Sequence, residues 1–138
     1  MKRQITFLSL LLLFTSTIIS CKKDTTSLKA RMMGKWSLSK IVVSGYTGTD
    51  AVTKNGTFNY GTSADYVDFK ANNDDQVEIS LSGNRTIGTY IIVYEDQFTM
   101  DLNDGVNYAN VNSLTTNQFQ FTSKIDKTNI VKIYYLTR

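Results

Sequence analysis

Gln76-Val77-Glu78-Ile79-Ser80-Leu81, followed by Ser82-Gly83-Asn84, is the stretch on which the fold turns. Val77, Ile79 and Leu81 fall on one face of an extended chain, and Glu78 and Ser80 fall on the other. That period of two marks a strand with one buried face. Ser82-Gly83-Asn84 then supplies the residue types of a tight turn.

The same pattern recurs downstream. Phe98, Met100 and Leu102 alternate with Thr99 and Asp101, and Phe119 and Phe121 alternate with Gln118, Gln120 and Thr122. In the last segment Val131, Ile133 and Tyr135 alternate with Lys132 and Tyr134, which predicts Ile133 and Tyr135 on the inner face. Turn-forming clusters separate these runs at intervals of about ten residues, the signature of an antiparallel sandwich or barrel. Strands are expected over 35–45, 63–70, 76–81, 86–94, 97–102, 106–114, 118–125 and 130–137. Most connections are short enough to be hairpins, which gives an up-and-down meander. Eight twisted strands protect their edges most simply by closing into a barrel. The strand over 86–94 is apolar on both faces, Tyr90 and Ile92 against Ile91 and Val93, and is expected to lie under the long loop or the N-terminal helix. The fold class is therefore all-β, an eight-stranded antiparallel up-and-down barrel.

Upstream, Leu28, Met32 and Met33 after Thr26 and Ser27 predict one or two helical turns with an N-cap, closed by Gly34. Before them lies an export signal. Lys2 and Arg3 precede an apolar run of 15 residues from Ile5 to Ile19, too short to span a bilayer core. Ser20 then precedes Cys21, the only cysteine. Residues 1–20 are read as a cleaved signal, 21–27 as an acylated Cys21 with a polar tether, and 28–138 as one domain.

The Ile18-Ile19-Ser20-Cys21 run resembles the lipobox of bacterial lipoproteins. The resemblance implies that the Cys21 thiol and the new amine carry acyl chains. At about 0.8 kcal/mol per buried CH₂, two or three such chains hold a domain on a membrane almost irreversibly. The mature chain then has no thiol, and it has no histidine. Without Lys2 and Arg3 it carries 13 basic against 12 acidic side chains, a balance that argues against nucleic acid as a partner.

From Leu28 through Gly34-Lys35-Trp36 the chain resembles the start of a lipocalin-like domain. Phe69 before Asn72-Asn73-Asp74-Asp75, then Gly88-Thr89-Tyr90, then Leu114-Thr115-Thr116-Asn117 before Phe119 and Phe121 extend the likeness to small lipocalin-like lipoproteins of Bacteroidota. The resemblance implies that Gly34 and Trp36 close one end of a barrel, with a cation near the end of the last strands packed on the indole. Arg138 is the candidate, and Lys132 or Lys124 would stack less well. It also implies an outer-membrane lipoprotein of a Gram-negative envelope.

Eight strands leave an interior that holds one small ligand or is filled by side chains. Tyr90, Ile92, Phe98, Met100, Phe119, Phe121 and Tyr135 are the expected inward ligand contacts, with Phe69, Ile79 and Ile133 beside them. Tyr46, Phe58 and Tyr60 lie in a long Gly-, Thr- and Asn-rich loop, expected to be a lid or a surface that docks a protein or glycan. Asp65, Asp68, Asp74, Asp75 and Glu78 could suggest calcium, but they lack EF-hand spacing and most are explained by a turn. No metal, cofactor or catalytic residue is expected, since nothing in the spacing nominates a general base. Two readings stand: a carrier of a small apolar or amphipathic molecule, and a solid-core interaction module of an envelope complex.

Overall fold

The computed structural model describes residues 25–71 and 74–138. The expected signal segment, Cys21, residues 22–24 of the tether and the turn residues Asn72 and Asn73 lie outside the described residues. Helix α1 (Leu28–Met32) leads into β1 (Gly34–Ser44), then α2 (Thr49–Lys54) and β2 (Gly56–Asn59). The remaining strands are β3 (Tyr66–Phe69), β4 (Gln76–Leu81), β5 (Asn84–Tyr94), β6 (Gln97–Leu102), β7 (Gly105–Leu114), β8 (Gln118–Ile125) and β9 (Val131–Thr137). Among the described residues no helix is long and apolar enough to cross a membrane.

Every neighbouring pair is antiparallel, and β1 also pairs with β9, which closes the barrel. Both β2 and β3 pair with the same edge of β1, Val43↔Gly56 to Lys40↔Asn59 and then Ser37↔Tyr66 to Gly34↔Phe69. They are one return strand interrupted by an excursion at 60–65, so the barrel has the expected eight positions. Asp65 holds that excursion. Its carboxylate accepts from Thr62 Oγ1 at 2.6 Å, Thr62 N at 3.0 Å and Gly61 N at 3.3 Å, and from Ser82 N on the β4–β5 turn at 2.6 Å.

Seven of the eight expected strands fall within two residues of those observed, the exception being 63–70, observed as Tyr66–Phe69, and two further departures have clear causes. The 45–62 segment contains α2 and β2 rather than open loop. No α2 residue is buried, so its sequence carries no apolar stripe to read. In β9 the parity is the reverse of that expected: Tyr134 and Leu136 are 3% exposed, whereas Ile133 and Tyr135 face outward. Tyr135 lies under the Lys40 ammonium, 4.3 Å from its ring centre, on the outer wall. A bulge between Leu38 and Lys40 on β1 likewise shifts the buried set from Trp36 and Leu38 to Ile41 and Val43. The expectation that β5 is covered on its outer face is also corrected, since Ile87, Ile91, Val93 and Tyr94 are exposed.

The barrel has two distinct ends. α1, the β3–β4 turn, the β5–β6 turn and the β7–β8 turn share one end; α2, β2 and the β4–β5, β6–β7 and β8–β9 turns share the other. Ser27 caps α1, accepting from Ala30 N at 3.3 Å, and buries Leu28 and Met32 over the first end.

Candidate functional site

At the α1 end the interior is solid. Trp36, Phe69, Tyr90, Phe98, Met100, Phe119 and Phe121 are each at most 1% exposed. Phe69 meets Tyr90 and Phe98 edge-on at 5.2 and 5.7 Å, and Phe119 meets Phe121 at 5.1 Å. Tilted and edge-to-face pairs at these separations add about 0.5–1.5 kcal/mol each beyond their buried area. Five of the seven expected ligand contacts, Tyr90, Phe98, Met100, Phe119 and Phe121, are thus packed on one another in this core. Ile92 lies partly buried at its edge, and Tyr135 is outside. Among the described residues the Tyr90 hydroxyl is buried without a hydrogen-bond partner.

Trp36 plugs this end. Its Nε1 donates to Met32 O at 2.7 Å, and the Arg138 guanidinium lies 3.7 Å over the ring. Arg138 also donates to Met33 O. A Cβ on Gly34 would stand 3.1 Å from the guanidinium, and its φ of +103° suits glycine. Arg138, rather than Lys132 or Lys124, therefore supplies the cation expected over the indole. The sequence pattern of the lipocalin-like domain family matches residues 32–121, from the plug to the middle of β8.

The chain belongs to the lipocalin-like domain family. No curated protein matches it. As in the expectation, a lipocalin-like barrel carries an N-terminal helix and a Gly34-Lys35-Trp36 closure.

The opposite end of this lipocalin-like barrel is different. Tyr134 stacks on Phe121 at 4.6 Å and 14°, and it floors a cleft of about 280 Å³. Ile41, Val43 and Leu81 form the apolar walls, and Tyr46, Phe58 and Tyr60 come from the α2–β2 segment. All three loop aromatics singled out in the sequence thus meet at one place. The segment is clamped there: Asn55 accepts from Tyr46 N at 3.0 Å and donates to Tyr46 O at 2.9 Å. Gly45 passes so close to the β8–β9 turn that a Cβ would stand 1.8 Å from Asn129 O.

Polar groups complete the rim. Lys132, inward because of the β9 parity, pairs with Asp104 at 2.5 Å. Asn107, fully buried, donates to Asp104 at 2.9 Å and accepts from Ser123 Oγ at 3.0 Å. Burial pushes the Asp104 carboxyl up, but hydrogen bonds from Lys132 and Asn107 outweigh it and hold the group below the usual carboxylate range. Burial also raises the Tyr134 and Tyr60 phenols, so both are neutral donors at neutral pH. Lys54, beside the cleft, is paired with Asp50 at 2.9 Å. Sequence reasoning missed Lys132, Asp104 and Tyr134. The signal was the parity of β9, where the lysine marked the wrong face as solvent.

The carboxylates weighed for calcium are otherwise engaged. Asp65 caps its loop, Asp68 and Glu78 share Lys70, Glu78 also takes Arg85 and Tyr66, and Asp75 holds Lys29.

Proposed function

We propose that this barrel is a non-catalytic binding protein that holds a small, uncharged amphipathic molecule in the cleft at its open end. The observation that carries the reading is the convergence of Tyr46, Phe58 and Tyr60 with Ile41, Val43 and Leu81 around one concavity. Pockets of this make-up, mostly apolar with a few placed polar groups, are where small ligands bind. The volume sets the scale: at about 30 Å³ per water-sized group, the cleft takes roughly nine or ten non-hydrogen atoms. A longer ligand would project into solvent, since Tyr134 and Phe121 block the way down.

Charge selects among ligands. Lys132 is neutralised by Asp104 and Lys54 by Asp50, so the cleft offers no uncompensated cation. An anionic headgroup would have to sit beside the Asp104 carboxylate, whereas a hydroxyl or carbonyl can use the Tyr60 or Tyr134 phenol. The export signal and Cys21 support presentation of the barrel from an envelope membrane, in keeping with an acylated lipoprotein of the outer membrane. The filled interior keeps a second reading in play, in which the ordered 46–61 rim docks an envelope protein or glycan.

Native mass spectrometry of the mature protein after exposure to a lipid extract of its host membrane separates the two. A discrete added mass, absent when Leu81→Trp fills the cleft, is the expected result. A bare mass in both proteins would move the assignment to partner docking.

A further inference from the structure

The outer face of β5 is apolar where it reaches the closed end. Ile91 is 64%, Val93 48% and Tyr94 68% exposed, and Tyr108, two strands away in the same row, is 50% exposed. A regular strand would turn one of Val93 and Tyr94 inward. The bulge between Ile92 and Tyr94 instead turns both to solvent. An exposed cluster of this kind marks a contact surface.

The position of the chain's N-terminal part says what the contact is. Thr26, Ser27 and Leu28 line one groove with Ile92, Val93 and Tyr94, so the polypeptide enters the domain beside the patch. Cys21 precedes the Ser27 cap by six residues, a reach of at most about 21 Å. A bilayer holding acyl chains on Cys21 therefore lies within reach of this end and of no other. The cleft opens at the opposite end, of order 30 Å away along 11-residue strands. The patch also has the make-up of an interfacial contact. Tyr94 is a tyrosine with an exposed ring, and Lys29, Arg31, Glu95 and Asp96 rim the groove with both signs of charge.

We infer that Ile91, Val93 and Tyr94 seat the closed end of the barrel on the lipid surface that carries its anchor, so that the ligand cleft faces away into the aqueous compartment. This rests on the reading of Cys21 as acylated. The docking is shallow: apolar side chains enter the headgroup region while the charged rim stays in water.

The test uses the mature acylated protein in vesicles of phosphatidylethanolamine and phosphatidylglycerol at three to one. With Cys21 consumed, Tyr94→Cys, Val93→Cys and Ser63→Cys each give one thiol for a nitroxide label. Positions 93 and 94 are exposed, so labelling leaves the core intact, and Ser63 is an exposed reference at the open end. Collision rates with oxygen and with a water-soluble nickel chelate are then compared by electron paramagnetic resonance. A several-fold higher oxygen-to-nickel ratio at 93 and 94 than at 63 is expected. Equal ratios at all three positions overturn the inference, and so does exclusion of both reagents at 93 and 94, which would mean that protein covers the patch. Protein that fails to float with the vesicles would remove the acylation reading, and the inference with it, by a separate observation.

Discussion

The two ends of the barrel are built from the same strands and do opposite things with them. At the closed end, inward positions are aromatic or aliphatic and are buried against one another, from Met32 through Trp36 to Phe119. At the open end, the same alternation delivers Lys132, Asn107 and Ser123 inward, each satisfied by a polar partner. A satisfied polar layer costs little and leaves room; an unsatisfied one would be strongly destabilising. One fold thus separates the part that holds it together from the part that can receive something.

The sharpest way to break this comparison is at the plug. Trp36→Ala removes the indole, its bond to Met32 O and the Arg138 stack. We expect a loss of about 3–5 kcal/mol in urea unfolding. A loss below about 1 kcal/mol would mean that the closed end does not carry the stability. At the open end, Gly45→Ala pushes the β1–α2 connection off Asn129, from a φ of +94° that already disfavours alanine. About 1–3 kcal/mol is expected, with amide-exchange changes confined to the rim.

Acid should affect the barrel wall at Glu78 and the open-end loop that Asp65 holds. Arg85 and Tyr66 hold the Glu78 carboxyl at about 2, and Thr62 with Ser82 holds Asp65 at about 2. Both folded values lie below the unfolded values of about 4, so their stabilisation is present above pH 4 and is lost as pH falls toward 2. The urea midpoint should be flat between pH 7 and 5 and drop between 4 and 2. Glu78→Gln should flatten part of that drop, and an unchanged acid limb would contradict the assignment.

The smallest effect is expected in the core itself. The Tyr90 hydroxyl is buried with no partner among the described residues, so Tyr90→Phe should leave the unfolding free energy in urea unchanged or raise it by up to about 1 kcal/mol. A clear loss would show that the phenol is bonded to a buried guest.

Much of the architecture was legible because the strongest signals are local. Val77, Ile79, Phe98, Met100, Phe119 and Phe121 alternate cleanly, and each is buried. The plug was legible through Gly34-Lys35-Trp36. The site was only partly so. Tyr46, Phe58 and Tyr60 drew notice by type, but their convergence needed α2 and β2, whose short and solvent-exposed segments leave no periodic trace. β9 misled because Lys132-Ile133-Tyr134-Tyr135 has apolar groups on both faces, and the inward lysine is stable only through Asp104, which lies 28 residues away.

The proposed guest enters the cleft at the open end and not the filled core behind Trp36. Titration with the uncharged fluorophore N-phenyl-1-naphthylamine tests it most directly, in the parent protein, Leu81→Trp and Tyr90→Phe. We predict saturable one-to-one enhancement in the parent and in Tyr90→Phe, and its loss in Leu81→Trp. Enhancement that survives Leu81→Trp but disappears in Tyr90→Phe would place the guest in the closed end and contradict the account.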